Sequence, residues 1–236
     1  MKKKLKNSIA TIVFFFTIAG FSQNQNGNIL SIKSFYEKIK SQDKPQIIDA
    51  RTPEEFALNH IEGAINFNLD SENYLNFANA LDKLKPVFIY SIRAGRSVAL
   101  EKELLKNGFK ETYSLEGGIG AWIGSGKPFY SNTKSKLLVT EYKKIITDNQ
   151  TVLVDIGSQY CCACKKVKPI LETIKTQYGT NLKIVEIDLE DNPQVIADLK
   201  TVQAFPTILL YRNGKIILKK EGIIDLKKEV DLALTP

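Results

Sequence analysis

Residues 152–171 read VLVDIGSQYCCACKKVKPIL and contain every cysteine of the 236-residue chain. The run TVLVDI, residues 151–156, overlaps the start of this stretch and is typical of a strand buried on both faces. A helical pattern begins at the cysteines and extends to about Tyr178. Cys161 therefore falls at a strand-to-helix turn, where unpaired backbone N–H groups and the positive end of the helix dipole stabilise a thiolate. Cys164 lies one turn further on, within reach of a mixed disulfide formed at Cys161. The spacing predicts a redox-active pair.

Strand-like and helix-like segments alternate on both sides of a glycine-rich stretch at residues 117–136. Before it, the runs PQIIDA, PVFIYS and ETYSLEG are separated by amphipathic segments, and after it the alternation resumes through LKIVEIDLE and PTILLYRNGKIILKKEG. This pattern predicts an α/β sheet in each half. We place the first domain at residues 29–126, a linker at 127–135 because of its small polar residues, and the second domain at 136–234.

The N-terminal segment is typical of a secretory signal peptide. Four lysines precede an apolar run from about Ile9 to Phe21, which is shorter than the roughly 20 residues of a membrane-spanning helix. We assign residues 1–23 to a signal peptide and expect a periplasmic or secreted protein without stable membrane insertion after cleavage; an uncleaved membrane anchor is the alternative.

Without this segment the chain has 29 basic and 26 acidic residues. A net charge of +3 gives no basis for nucleic-acid binding.

Residues 136–234 resemble thioredoxin over several motifs in the same order. The stretch around the cysteines is similar to the family's strand, active site and helix, and VQAFPTILLYRNGK is similar to its cis-proline loop and hairpin. The resemblance makes Asn213-Gly214 a two-residue turn and matches Gly222 to a glycine of the last strand.

The thioredoxin resemblance implies a role for four residues. Cys161 would be the exposed attacking nucleophile and Cys164 the buried resolving thiol. Asp155 would be the buried carboxylate that moves a proton to or from Cys164. Pro206, in a cis peptide bond, would line the substrate groove. Two alternatives stay open: Asp155 as an ordinary polar strand residue, and the cysteines as a structural disulfide, although so short a loop would add little stability.

The second half also departs from the thioredoxin pattern. Tyr160-Cys161-Cys162-Ala163-Cys164 stands where the family has Trp-Cys-Gly-Pro-Cys, and because the residues between the cysteines tune the redox potential, strongly reducing character does not follow. Glu186 matches a position where a lysine is common, and burial of Glu186 beside Asp155 would raise a carboxyl pKa. Cys162 is either a small exposed residue or a third thiol able to trap a mixed disulfide or bind a soft metal.

Residues 29–126 resemble rhodanese. The segment IIDARTPEEFALNHIEGAINFNL is similar to the family's conserved motif, and LEGGIGAW is similar to its closing motif. The matched positions are Asp49, Arg51, Glu55, Phe56, His60, Ile61, Gly63 and Ala64. His60 is the only histidine of the chain, but the resemblance implies a structural role for it.

The loop of the rhodanese-like half lacks its nucleophile. Ser91 stands where the family has a cysteine, Arg96 and Ser97 follow at the family's spacing, and Gly95 falls one position later than the usual glycine. A hydroxyl cannot carry a persulfide and needs a base to become nucleophilic, so we expect no sulfurtransferase activity. The loop, with Arg93 and Arg96, is then either part of a scaffold or docking module or a cradle for an anion.

Together these features predict an exported thiol–disulfide oxidoreductase with two α/β domains, one rhodanese-like with a parallel sheet and one thioredoxin-like with a mixed sheet. Catalysis requires no cofactor or metal, the substrates are protein or small-molecule disulfides, and a redox partner not identifiable from the sequence renews the pair. The alternatives are a Cu(I) or soft-metal thiolate protein and a non-enzymatic interaction protein.

Overall fold

The computed structural model describes residues 28–235, which form two α/β units. The proposed signal peptide at residues 1–23 lies outside the described residues. Within residues 28–235 no helix is both long and apolar enough to cross a membrane.

The first unit is built on a five-stranded parallel sheet of order β1-β6-β5-β2-β4. An antiparallel pair, β3 and β7, lies beside it. These strands are β1 (Ile29–Leu30), β2 (Gln46–Asp49), β3 (Asn59–Ile61), β4 (Ile65–Asn66), β5 (Val87–Tyr90), β6 (Thr112–Leu115) and β7 (Phe129–Ser131).

Helices cover both faces of the parallel sheet. Because side chains alternate along a strand, Val87 and Ile89 of β5 pack with one apolar cluster and Phe88 and Tyr90 with another. The helices are α1 (Ile32–Lys40), α2 (Pro53–Leu58), α3 (Tyr74–Ala80), α4 (Ala94–Lys106) and α5 (Gly118–Gly124). Residues of α3 and α4 join the first cluster, and residues of α1 and α5 join the second.

The second unit has a four-stranded mixed sheet of order β11-β10-β8-β9, in which only β8 and β9 are parallel. Its elements are α6 (Val139–Asp148), β8 (Thr151–Gly157), α7 (Lys168–Tyr178), β9 (Lys183–Asp188), α8 (Pro193–Leu199), β10 (Thr207–Arg212), β11 (Lys215–Glu221) and α9 (Leu226–Leu234). Helices α7 and α9 pack on one face, and α6 and α8 on the other. The predicted fold class, a parallel sheet followed by a mixed sheet, is confirmed.

The stretch predicted as a linker, residues 127–135, is only partly a connection. Within it, β7 pairs with β3 of the first unit, and the N–H of Asn132 donates to the carbonyl of Leu58. The second unit is already engaged at Lys136, whose N–H donates to the carbonyl of Asp191. Small polar residues suggested a flexible stretch, but the backbone of Phe129–Ser131 finds strand partners.

Candidate functional site

The cysteines follow the carboxyl end of β8 in a turn. The N–H of Cys161 donates to the carbonyl of Ser158 at 3.0 Å, and a short 3-10 segment, Cys164–Lys166, precedes α7. Regular α-helix therefore begins at Lys168 rather than at the cysteines, with Pro169 in its first turn, where its missing N–H leaves no helical hydrogen bond unmade. Cys161 lies between a strand and a helix, as predicted, but seven residues before α7 begins rather than at its first turn.

Backbone N–H groups converge on the sulfur of Cys161. The N–H of Cys164 lies 3.3 Å from Cys161 Sγ. The hydrogen bond from the Cys164 thiol, the N–H groups of Cys164 and Ala163, and the charge of Arg93 lower the pKa of Cys161 to about 6, against the opposing effect of burial. The same thiol–thiolate contact and burial raise the pKa of Cys164 far above its ordinary value. One proton is thus held on Cys164 while Cys161 carries the negative charge.

Burial of the three thiols differs from the sequence-based expectation in one respect. Cys164 is buried, as predicted, and Cys162 is exposed. Cys161 was expected to be the exposed nucleophile, but only 1% of its surface is accessible. That expectation is wrong for this structure, because Cys161 belongs to an apolar cluster that also contains Ile92 and Ile119 of the first unit.

Asp155 is buried on β8, as predicted, behind the cysteine pair. It lines a cavity of about 140 Å³ together with Cys164, Lys168, Glu186 and Asp188. Burial, followed by the charges of Glu186 and Asp188, raises the pKa of Asp155 to about 7. Its Oδ1 has no hydrogen-bond partner among the described residues. A proton on this oxygen is therefore not shared with another group of the described protein.

The loop before β10 contains the proline to which the resemblance assigned the substrate groove. The Phe205–Pro206 peptide bond is cis, as expected, and the N–H of Gly222 donates to the carbonyl of Pro206 at 2.9 Å. Asn213 and Gly214 both have positive φ and connect β10 to β11 in the predicted two-residue turn.

The loop after β5 holds the serine of the first unit. Ser91 is buried and its hydroxyl donates to the carbonyl oxygen of Arg93, which precedes α4. Ser97 is also buried, and its hydroxyl donates to the carbonyl of Ala94 at 3.1 Å. A carbonyl oxygen therefore faces Ser91, which is unfavourable for an anion at that position.

The two arginines of this loop differ in their surroundings. Arg96 forms a two-pronged ion pair with the buried carboxylate of Glu55, with Nη2 2.8 Å from Oε1. Its charge is therefore already neutralised, whereas Arg93 is exposed. Only Arg93 of the pair remains available to another charge, which favours the scaffold or docking alternative over the anion cradle.

The loops around Ser91 are supported by Asp49, Arg51 and His60. Arg51 is buried in an ion pair with Asp49, with Nη2 2.7 Å from Oδ2. His60 stacks between the rings of Phe56 and Tyr130, and its Nδ1 lies 2.9 Å from the Phe56 carbonyl. The packing of His60 fits the structural role expected for it.

Comparison with known proteins identifies both units. The Thioredoxin family matches residues 134–232, and the Rhodanese-like domain family matches residues 31–125. Thioredoxin from Acidithiobacillus ferridurans is 30% identical over 80 residues, which are 34% of this chain and 73% of that protein. The chain belongs to the thioredoxin family. Its N-terminal half is a rhodanese-like domain.

The second unit is also similar to thioredoxins from other organisms. Thioredoxin from Mycobacterium tuberculosis is 32% identical over 78 residues, which are 33% of this chain and 66% of that protein. The solution structure of oxidised thioredoxin from Plasmodium falciparum is 24% identical, with a TM-score of 0.38. The match covers 43% of this chain and all of that chain.

The thioredoxin domain of this chain carries an additional negative charge beside Asp155. Glu186 lies directly opposite Asp155 in the β8–β9 register. Glu186 is exposed, so the two carboxylates are not buried together as the sequence analysis considered. Its charge nevertheless contributes to the raised pKa of Asp155.

Sequence reasoning missed one residue that shapes the thioredoxin site. Glu190 is buried, and it accepts hydrogen bonds from the hydroxyl of Ser158 at 2.5 Å and from the N–H of Gln159 at 3.1 Å. It thereby holds the turn that leads to Cys161. The signal was its position shortly after β9, because the carboxyl ends of neighbouring parallel strands meet at one edge of a sheet.

The three cysteines differ in burial. Between residues 28 and 235, no three side chains of the metal-binding types are grouped to hold an ion. Cys162 is exposed while Cys161 and Cys164 are buried, so the three sulfurs do not share one environment.

Proposed function

We propose that this protein is an exported thiol–disulfide oxidoreductase in which Cys161 and Cys164 exchange with a substrate disulfide. The observation that carries the proposal is the pair itself: a Cys161 sulfur stabilised as thiolate by N–H groups and the Cys164 thiol, within a thioredoxin domain. Pro206 lines the substrate side of the site.

The first step forms a mixed disulfide. The Cys161 thiolate attacks one sulfur of the substrate disulfide, a bond forms between Cys161 Sγ and that sulfur, and the second substrate sulfur leaves as a thiolate. A pKa of about 6 keeps Cys161 mostly ionised near neutral pH, while the nucleophile remains basic enough to react.

The second step requires removal of the proton from Cys164. Asp155 lines the same cavity as Cys164, and its pKa of about 7 makes it a base near neutral pH. The resulting Cys164 thiolate attacks Cys161 Sγ and releases the substrate as a thiolate. The pair ends as a disulfide, and an external dithiol donor must reduce it for another cycle; the reverse sequence applies when the pair acts as an oxidant.

The rhodanese-like domain has no sulfurtransferase role in this proposal. Residues 1–160 contain no cysteine, and Ser91 directs its hydroxyl to a backbone carbonyl. The domain serves instead as a scaffold or docking module.

Export is supported by the basic and apolar pattern of residues 1–23. We place the mature protein in the periplasm or outside the cell, where substrate disulfides persist.

Insulin reduction by the full chain, with dithiothreitol as electron donor, tests the proposed activity. We expect Cys161→Ser and Cys164→Ser to lose turnover to the level of the donor alone, and Cys162→Ser, the matched control, to retain most of it. Full loss in Cys162→Ser with retention in Cys161→Ser would contradict the assignment.

A further inference from the structure

Three glycines, one at the N-cap of α5 and two within the helix, bring the rhodanese-like domain close to the thioredoxin domain. A Cβ atom at Gly117 would lie 2.2 Å from the carbonyl oxygen of Gln203, and one at Gly120 would lie 2.4 Å from the ring of Phe205. At Gly124 a Cβ atom would lie 2.5 Å from the Cβ of Val202. The glycine face of α5, defined by Gly120 and Gly124 of the helix and by Gly117 at its N-cap, therefore lies directly on residues 202–205, immediately before Pro206.

Residues 202–205 are the backbone that an extended polypeptide would pair with in a thioredoxin domain that binds substrate beside its cis-proline. Strand-like pairing of this kind requires access to main-chain groups. In this protein, α5 occupies that position, and Phe205 is only 1% exposed.

The contact extends to the reactive sulfur. Cys161 is 1% exposed and shares a continuous buried cluster with Ile92, Ile119 and Trp122 of the rhodanese-like domain. Arg93 is close enough to contribute to the lowered pKa of Cys161. Burial and the charges of Glu190, Glu55 and Glu54 raise the pKa of Tyr160, which places the start of α2 near the residue before the cysteines.

From this geometry we propose that the rhodanese-like domain is a reversible cap over the catalytic face of the thioredoxin domain. The glycine face of α5 occupies the substrate groove, and a disulfide substrate reaches Cys161 only when the two domains separate. The proposal rests on the disulfide-exchange function proposed above and gives the inactive domain a role in controlling access to it.

Two features make separation feasible. For residues 28–235, none of the hydrogen bonds or ion pairs joins the segment 28–131 to the segment 136–235, so opening leaves no buried polar group without its partner. Asn132 is bonded to Leu58 of the first domain, and the hydroxyl of Ser135 donates to the side-chain oxygen of Gln194 in the second. Residues 133–134 lie between these two anchors and act as the hinge that keeps the domains together.

The order of alkylation in the reduced wild-type chain tests the cap without any substitution. Iodoacetamide labelling at about pH 7.5, resolved by peptide mass, should modify Cys162 first and Cys161 at least about tenfold more slowly. Cys161 reacts only in the open molecules, so its labelling rate is proportional to their fraction. An exposed Cys161 with its lowered pKa would instead be the faster thiol. Labelling of Cys161 as fast as Cys162 would overturn the proposal.

A wedge at the interface should open the cap. Gly120→Ala places a methyl group against Phe205, and the three atoms nearest to that methyl group all belong to the Phe205 ring. Apart from this contact the substitution is favourable, because alanine stabilises a helix relative to glycine. We expect labelling of Cys161 to accelerate by about tenfold or more, with Cys162 unchanged and the radius of gyration increased in solution scattering. Gly124→Ala, which meets Val202 instead, serves if Gly120→Ala does not fold.

Gly95→Ala is the matched control, since a Cβ atom at this position of α4 meets nothing within 4 Å. It should leave both labelling rates as in the wild type. Slow labelling of Cys161 that neither wedge accelerates would show that the thioredoxin domain buries its own sulfur, and would overturn the cap.

Insulin reduction by the same variants separates this inference from the proposed function. If Gly120→Ala exposes Cys161 but no variant exchanges disulfides, the cap stands and the proposed function fails. If the wild type exchanges disulfides and Cys161 labels as fast as Cys162, the proposed function stands and the cap fails.

Discussion

Asp155 shows how a single side chain links the stability of this protein to its chemistry. Its carboxyl is buried, and the nearby charges of Glu186 and Asp188 oppose its ionisation. The folded protein therefore favours the neutral acid, whereas the unfolded chain leaves Asp155 with an ordinary pKa. The same feature that makes Asp155 a base near neutral pH costs stability once it ionises.

Replacing Asp155 by asparagine should stabilise the protein at alkaline pH. The pKa of Asp155 in the folded protein is raised from 3.8 to about 7. Its contribution to the free energy of unfolding is therefore fully present below about pH 4 and is lost as the pH rises through about 7. Urea unfolding should show Asp155→Asn gaining up to about 4 kcal/mol relative to wild type at pH 8, and much less at pH 4.

Asp148→Asn, an exposed substitution at the end of α6, is the control and should change the free energy of unfolding by less than about 0.5 kcal/mol at either pH. Parallel stability curves for wild type and Asp155→Asn would contradict the raised pKa.

At the scale of elements, local patterns predicted the strands, helices and turns around the site, but they did not predict that Cys161 is buried. The apolar run of β8 follows from the local rule for a strand buried on both faces. The Asn213-Gly214 turn and the burial of Cys164 were implied by the resemblance to thioredoxin. The exposure of Cys161 was predicted wrongly, because its cluster includes residues that are distant in sequence, such as Ile92 and Ile119. The signal was present in the spacing of Gly120 and Gly124, which are four residues apart on one helix face, but glycine also indicates loops.

The loop between β5 and α4 leads to a prediction about sulfur transfer. The Ser91 hydroxyl cannot hold sulfane sulfur and donates to the Arg93 carbonyl, so the wild-type chain should show no thiosulfate:cyanide sulfurtransferase activity. Ser91→Cys should restore at most a trace, because that carbonyl oxygen opposes a persulfide anion. The assay measures thiocyanate formation.

A variant lacking Cys161, Cys162 and Cys164 is the control for this assay. Appreciable thiocyanate formation by that variant would contradict the account of the Ser91 loop, whereas activity lost only with Cys161 would assign sulfur chemistry to the thioredoxin domain.

At the scale of the whole molecule, the rhodanese-like domain packs against residues 202–205 of the thioredoxin domain, immediately before its cis proline. The sequence predicted both domains and their order, because each carries several spaced motifs. It did not predict their packing, since apolar side chains at an interface between domains have the same periodicity as those of a core.

Trapping of mixed disulfides tests the central claim, that Cys161 attacks and Cys164 resolves. Reduced Cys164→Ser, incubated with an oxidised peptide substrate, should accumulate a covalent complex whose peptide map joins the substrate to Cys161, because the resolving thiol is missing. The Cys161→Ser/Cys164→Ser double variant, as control, should form no such complex. A complex joined through Cys162, or one that forms equally well without Cys161, would contradict the account.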